Sequence, residues 1–241
     1  MENKISTLTC SYDSYSFLWE DYKKLFNKYW LLDTHNVVVG ETESLPSENF
    51  EFLTPGALRD EKGVDLWGKR MLIGLDKIKT PYVFVMLIDF YFVHNIEKEF
   101  IDKQINFLET NNANKIIIDE NAPRAYNFES AEHPFYKFDN NSDYQTSLMP
   151  AIWKTEWLKS VIKSGDTPWA FETDGTGRIK GQDNKVYLNM REAPIFYNVI
   201  RRAKNIPEMW GPIKWNDFKE KENLGDYSKY LESDIWNWEE K

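Results

Sequence analysis

Cysteine and histidine are scarce in this sequence of 241 residues, which contains one cysteine, Cys10, and three histidines. A single cysteine excludes a disulfide bond within the chain. So few thiol and imidazole groups also disfavour a zinc site built from Cys and His ligands. We therefore expect a protein of the reducing cytoplasm.

Long apolar runs are absent as well. The longest, residues 82–93, contains Asp89 and is shorter than the ~20 residues that a membrane helix requires. The first residues contain no apolar signal core. We expect no transmembrane segment, while peripheral association with the inner face of the cytoplasmic membrane stays open.

Basic residues are fewer than acidic residues, 30 Lys and Arg against 39 Asp and Glu, and the formal net charge is −9. A general nucleic-acid binder needs a basic face that neutralises phosphates, so this class is disfavoured. The turn after the first predicted strand has no glycine-rich loop, which argues against a dinucleotide fingerprint or a P-loop. A G-x-S-x-G hydrolase elbow is absent too.

Aromatic residues, in contrast, are abundant: 15 Phe, 13 Tyr and 10 Trp. They suit both core packing and stacking on sugars, and packing accounts for the larger share. With 41% hydrophobic residues, the chain can supply the core of one large α/β domain.

Strand and helix patterns alternate in the first half of the sequence. Strands are predicted at residues 5–10, 36–40, 50–53, 82–88 and 115–118, and helices at 17–29, 66–78 and 96–108. This alternation predicts an open, mostly parallel sheet flanked by helices. The second half is less regular, with strands predicted at 148–153 and 185–189, and helices at 155–162 and 193–204.

Asp89 directly follows the most apolar predicted strand and precedes an aromatic stretch, residues 90–92. Ligands of open α/β sheets bind at the carboxyl ends of the strands. A carboxylate there can hold a divalent cation that bridges a diphosphate. The alternative is an aspartate that caps the turn or the next helix, and its position at the strand end favours the functional interpretation.

Tyr12 and Asp13 lie in the first turn, at the same predicted edge. Tyr12 could stack on a nucleobase and Asp13 could accept a hydrogen bond from it. An ordinary helix N-cap is the alternative, and the local pattern alone favours it.

Trp67, Lys69 and Arg70 open the helix predicted over residues 66–78, where backbone amides and two cations could meet a pyrophosphate. The alternative is a core tryptophan beside two solvated cations.

Glu172 follows a turn and stands beside Trp169 and Phe171. Burial against these rings would raise its pKa toward that of a general base. A first-turn glutamate favoured by the helix dipole fits the pattern equally well.

Five motifs occur in order within residues 4–200: TCSYDSY at 9–15, WGKRM at 67–71, YVFVMLIDFYF at 82–92, SLMPAIW at 147–153 and PWAFE at 168–172. Together they resemble bacterial GT-A-type, family 2-like glycosyltransferases of surface or capsular polysaccharide biosynthesis. The resemblance implies a single Rossmann-like GT-A domain. Its nucleotide-sugar-binding half would be residues 1–120, its acceptor-side half 121–205 and its C-terminal extension 206–241.

The resemblance also implies the roles of individual residues. The donor nucleotide sugar would be held by Thr9, Tyr12, Asp13, Trp67, Arg70, Asp89 and Tyr91. Glu172 would be the catalytic base, and Trp153 and Trp169 would line the acceptor. The family usually has two successive acidic residues where this chain has Asp89 and Phe90, so Asp89 alone would hold Mn²⁺ or Mg²⁺. Without a cation, Arg70 and Lys69 would stabilise the leaving nucleoside diphosphate.

The implied reaction moves a sugar from a nucleotide-diphosphate donor to a hydroxyl of a glycan or lipid-linked glycan. A single base near the acceptor favours inversion at the anomeric carbon. Two alternatives remain at this stage. One is a non-catalytic sugar- or nucleotide-binding module, and the other is a transferase that moves a non-sugar group onto a glycan.

Overall fold

The computed structural model describes residues 4–119, 127–190, 195–201, 204–205, 215–227 and 230. The first half alternates strands and helices as the sequence predicts. Its strands are β1 (Ile5–Cys10), β2 (Asn36–Val39), β3 (Glu51–Leu53), β4 (Tyr82–Leu87), β5 (Phe90–Phe92) and β6 (Lys115–Asp119). Its helices are a 3-10 helix (Asp13–Leu18), α1 (Trp19–Tyr29), α2 (Trp67–Lys77) and α3 (Lys98–Thr110).

The second half contains shorter elements. Its strands are β7 (Phe128–Glu132), β8 (Phe135–Phe138), β9 (Ala151–Lys154), β10 (Val186–Met190), β11 (Phe196–Asn198), β12 (Ile200–Arg201) and β13 (Lys204–Asn205). Its helices are α4 (Thr155–Val161), α5 (Pro168–Ala170), α6 (Thr176–Ile179) and α7 (Trp215–Glu222). A π-helical turn, Phe171–Gly175, joins α5 to α6.

Nine strands form one mixed sheet in the order β3-β2-β1-β4-β9-β6-β10-β8-β7. Neighbours from β3 to β4 are parallel, as are β6 and β10, whereas β9 runs antiparallel to both β4 and β6. The predicted α/β class with a mostly parallel core is confirmed. The carboxyl ends of β1, β2 and β4 consequently meet at one edge of the sheet.

Each face of the sheet has its own apolar core. One contains Phe26 of α1 and Leu108 of α3, and the other contains Met71 of α2 and Leu158 of α4, all buried. Because both faces are covered, β4 is apolar throughout. The neighbouring β1 is buried as well but includes the polar residues Ser6, Thr7 and Thr9.

Two parts of the second half differ from the prediction. The helix predicted over residues 193–204 is wrong for the described residues, where β11 pairs antiparallel with β5 and β12 pairs with β13. The rings of Phe92 and Phe196 lie 5.3 Å apart across the first pair, so aromatic cross-strand packing outweighs the local helical pattern. The hairpin of β7 and β8 was not predicted.

The predicted division at residue 120 lies outside the described residues. Of the predicted extension 206–241, the structure describes residues 215–227 and 230.

Candidate functional site

Asp13 joins two of the loops at the carboxyl edge of the sheet. Its carboxylate accepts hydrogen bonds from the backbone N–H groups of Thr42 and Glu43, each at 3.1 Å, and its own N–H donates to Glu41 at 3.1 Å. Partial burial works against ionisation, but a hydrogen bond from the Thr42 hydroxyl, together with those from the backbone N–H groups, holds the pKa of Asp13 below its ordinary value. Asp13 therefore fixes the turn after β1 against the turn after β2.

Tyr12 lies in a cluster of charged side chains beside this turn. Its hydroxyl donates to Asp65 at 2.5 Å, and the guanidinium carbon of Arg70 lies 4.3 Å from the centre of its ring. Arg70 is fully buried and pairs with Glu41 at 2.9 Å and with Asp65 at 3.1 Å. This cation is thus neutralised by two carboxylates beneath the Tyr12 ring.

Arg59 closes the cluster on the solvent side. It bonds to Glu41 and Asp65, each at 2.9 Å, and its side chain is 38% exposed. Sequence reasoning missed all three of these residues. Glu41 could have been found, because it follows the end of β2 by two residues, as Asp89 follows the end of β4. Arg59 and Asp65 lie in a loop without a recognisable pattern.

Two residues that the sequence assigns to the donor are buried supports. The hydroxyl of Thr9 bonds to that of Tyr22 at 2.7 Å, and Thr9 is fully buried. Trp67 is also fully buried, with its ring 5.4 Å from that of Phe171. Neither side chain is exposed to a ligand in this structure. Thr9 connects β1 with α1, and Trp67 connects α2 with the π-helical turn.

Gly68, next to Trp67, explains how α2 approaches the second half of the chain so closely. Its N–H donates to the carbonyl of Asp166 at 2.8 Å, and a Cβ at this position would lie 2.0 Å from the carbonyl oxygen of Lys163. Only glycine permits that contact.

Tyr91 is a core residue in the structure, which contradicts its predicted contact with the donor. It is fully buried, its hydroxyl donates to the carbonyl of Leu18 at 3.1 Å, and it bonds to the hydroxyl of Tyr227 at 2.9 Å. Tyr91 therefore connects β5 with the 3-10 helix that precedes α1 and with the segment after α7.

Asp89 follows β4 at the carboxyl edge, as predicted. Its Oδ2 accepts a hydrogen bond from Asn198 at 3.2 Å, whereas Oδ1 is buried and has no hydrogen-bond partner among the described residues. Burial raises the pKa of Asp89 to about 7, against the opposing effect of the Asn198 hydrogen bond. An unpaired buried oxygen of this kind points to a ligand or a proton.

The metal prediction depends on the surroundings of Asp89. Phe90, at the second acidic position of the family, is buried in the core. The described residues contain no group of three or more His, Cys, Asp or Glu side chains that could hold a metal ion. The unpaired Oδ1 is the carboxylate oxygen that would hold the predicted cation, since a cation of the magnesium type takes one or two carboxylates and completes its shell with phosphate oxygens and water.

Glu172 lies in the π-helical turn between α5 and α6. Its Oε1 accepts a hydrogen bond from the backbone N–H of Leu148 at 2.7 Å. Its carbonyl accepts from Thr176 at 2.8 Å and from Thr146 at 3.2 Å. Single π-helical turns are frequent at functional sites, and this one directs the Glu172 carboxylate at the segment that precedes β9.

The two tryptophans predicted to line the acceptor differ sharply. Trp169 is 73% exposed, three residues before Glu172, and is available to a ligand. The sequence suggested that Trp169 buries Glu172, but so exposed a ring does not cover that side chain. Trp153 is 1% exposed, and its ring packs against Trp157 and Phe171. Trp153 is therefore a core residue, which contradicts its predicted role at the acceptor.

The described residues thus supply an edge with Tyr12, Asp13, Glu41 and Asp89, and a second group with Glu172 and Trp169. The contact between the tilted rings of Trp67 and Phe171 connects α2 with the π-helical turn. None of the helices in the described part of the chain has the length and hydrophobicity of a bilayer span.

This arrangement is a GT-A-like α/β fold, the fold class that the sequence predicts. Among solved structures, TarS 1-349 of S. aureus in complex with UDP-GlcNAc aligns with 90% of this chain and 64% of its own, at a TM-score of 0.58 and 16% identity. Its UDP complex aligns with 81% of this chain and 60% of its own, at 0.54 and 17%. A longer TarS structure aligns with 83% and 37%, at 0.53 and 15%.

These likenesses establish the fold, and this chain spans less than two thirds of each TarS structure. No family model matches the sequence, and neither does any curated protein.

Proposed function

We propose that this protein transfers a sugar from a nucleotide-diphosphate donor to a hydroxyl of a glycan or lipid-linked glycan. The observation that carries the proposal is the carboxyl edge, where Tyr12, Glu41 and Asp89 follow three neighbouring parallel strands. Nucleotides bind at this edge in open α/β sheets. The fold shared with a protein that binds UDP-GlcNAc supports the same placement.

The nucleotide would lie against the Tyr12 turn. Tyr12 is half-buried and fixed by Asp65 and Arg70, so its ring is a rigid surface for a base. Because Arg70 is paired with two carboxylates, its role is to hold Tyr12 in place. The negative charge of the diphosphate would then be neutralised by the cation that Asp89 holds.

The acceptor hydroxyl would attack the anomeric carbon of the donor. A bond from the acceptor oxygen to that carbon forms as the bond from the carbon to the diphosphate oxygen breaks, and the electron pair leaves with the nucleoside diphosphate. Glu172 takes the hydroxyl proton, and the exposed ring of Trp169 stacks on the acceptor. Direct displacement inverts the anomeric configuration. In surface polysaccharide assembly, a lipid-linked acceptor would bring the enzyme to the inner face of the cytoplasmic membrane.

A non-catalytic module that binds nucleotide sugars is the second candidate. Phe90, buried at the second acidic position, favours it, as does the raised pKa of Asp89, which weakens the carboxylate as a cation ligand near neutral pH.

A thermal-shift screen with UDP, GDP, CMP and dTDP sugars, each with and without Mn²⁺, tests both candidates. A ligand that binds the native state raises the melting temperature by mass action. We expect one nucleotide class to stabilise the protein, and more so with Mn²⁺. Release of the nucleoside diphosphate from that donor then separates the transferase from the binding module. If no nucleotide sugar changes the melting temperature, both candidates are wrong.

A further inference from the structure

Lys115, at the start of β6, is a fully buried lysine. Its Nζ donates to the carbonyl oxygens of Gln145 at 3.0 Å and Ser147 at 2.8 Å, and lies 3.9 Å from the centre of the Trp153 ring. A buried cation costs several kcal/mol unless it is fully paired, and an apolar residue would fill the same volume without that cost. Packing alone therefore does not explain a lysine at this position.

The partners of Nζ indicate that it is an ammonium. An ammonium has three N–H donors and no acceptor, and here two carbonyl oxygens and one ring face receive them. A neutral amine would direct its lone pair at one of these electron-rich groups. Burial lowers the pKa of Lys115 well below its ordinary value, and the negative charge of Glu172 opposes that shift. The ammonium is therefore inferred from the two carbonyl oxygens and the ring face that surround Nζ.

The carbonyl of Ser147 and the N–H of Leu148 belong to the same peptide group. Lys115 donates to the oxygen at one end of this group, and the N–H at the other end donates to Oε1 of Glu172 at 2.7 Å. A cation at the carbonyl polarises the peptide and strengthens its N–H as a donor, because hydrogen bonds in a chain reinforce one another. The chain of contacts thus runs from buried ammonium to peptide to carboxylate.

We propose that Lys115 is the positioning residue for Glu172, acting through the peptide group between Ser147 and Leu148. The ammonium fixes the backbone of residues 145–147, and the polarised N–H holds the Glu172 carboxylate in one orientation. Thr146 strengthens the same link, since its hydroxyl donates to the carbonyl of Phe171 at 2.7 Å. The role in catalysis rests on the proposed function, whereas the coupling between Lys115 and Glu172 does not.

The test uses the amide proton of Leu148 in the full chain. Labelling serine with ¹³C at the carbonyl and leucine with ¹⁵N selects the two Ser-Leu pairs of the sequence, so only Leu45 and Leu148 give signals, and Leu45 is the internal reference. A charge-assisted hydrogen bond shifts its amide proton downfield. We expect Lys115→Met and Glu172→Gln each to move the Leu148 proton upfield while Leu45 stays in place, and Lys115→Arg to retain part of the downfield shift.

A folded Lys115→Met protein with an unmoved Leu148 signal would overturn the proposal. If Lys115→Met does not fold, the Glu172→Gln variant, which retains Lys115, provides the test. Coupling between the two residues requires that this substitution also shift the ¹³Cε signal of Lys115. An unmoved signal there overturns the coupling.

Donor turnover provides the arm that concerns function. Misplacing a reacting group by about 1 Å can cost about 100-fold in rate, so Lys115→Met should lower kcat about 10- to 100-fold with little change in the KM for the donor. An unchanged kcat in a folded variant overturns the catalytic role of Lys115. If the wild-type protein transfers no sugar, the proposed function fails, and the spectra still test the coupling.

Discussion

The guanidinium of Arg70 lies 4.3 Å from the centre of the Tyr12 ring, and both side chains bond to Asp65. From the sequence, Arg70 is expected either to meet the donor pyrophosphate or to be a solvated surface cation. In the structure it is buried, paired and covered by the ring that would meet the nucleotide. Arg70 thus helps to fix the turn after β1, because it connects this turn with Glu41 after β2.

Arg70→Met should therefore destabilise the protein strongly. Removing one partner of a buried ion pair leaves uncompensated charge and typically costs about 3–5 kcal/mol. Arg59→Met is the matched control, since Arg59 contacts the same two carboxylates but is 38% exposed, and its loss should cost about 1 kcal/mol or less. Urea unfolding of both variants checks the prediction. Equal losses would mean that Arg70 is not the centre of the cluster.

The sequence predicts the sheet well and the cluster poorly, for one physical reason. Hydrophobic periodicity is a local property, so β1, α2, β4 and β6 appear near their predicted positions. The pairing of Tyr12 with Asp65 joins residues 53 positions apart and leaves no periodic trace. Trp153 and Trp169 show the same limit, because a tryptophan looks alike in sequence whether it is buried or exposed. Strand β11 forms by pairing with β5, and the local sequence pattern of residues 196–198 does not indicate that distant partner.

Asp89→Asn should lower donor turnover about 100-fold or more, because a neutral amide is a poor cation ligand and the loss of a charge-stabilising group typically costs this much. Asp76→Asn is a suitable control, as that carboxylate is 79% exposed on α2. Steady-state release of nucleoside diphosphate with Mn²⁺ measures the effect. Equal rates for Asp89→Asn and the control would remove Asp89 from the site.

The raised pKa of Asp89 also predicts how stability depends on pH. Its folded-state pKa of about 7 exceeds the unfolded value of about 3.9, so between these values the native state binds more protons. The contribution of Asp89 to stability therefore decreases as pH rises through this window and is level above it. Asp89→Asn lacks this term, so it should gain stability relative to the wild type as pH increases.

Urea midpoints of both proteins at about pH 5 and about pH 8 test this dependence, because other titrating groups cancel in the difference. A difference that is the same at both values would show that Asp89 titrates as it does in water.

Glu172→Gln should lower kcat by about 100- to 10,000-fold, the usual contribution of a general base, with little change in donor affinity. The amide keeps the shape of the side chain and an acceptor for the Leu148 N–H, so the fold should persist. Asp174→Asn is the matched control on the same π-helical turn, where the carboxylate is exposed. Single-turnover kinetics with saturating donor separate chemistry from binding. A loss of donor binding in Glu172→Gln, with kcat retained, would assign this residue to the structure of the turn.

Trp169 and Trp153 can be compared directly, because the sequence predicts that both line the acceptor, whereas the structure exposes Trp169 and buries Trp153. Trp169→Ala removes a ring that is 73% exposed, so the free energy of unfolding should change by less than about 0.5 kcal/mol, while the KM for the acceptor rises. Trp153→Ala empties a buried site and should cost about 3–5 kcal/mol. Urea unfolding and acceptor titration of both variants decide the matter. If Trp169→Ala leaves the acceptor KM unchanged, the acceptor does not stack on this ring.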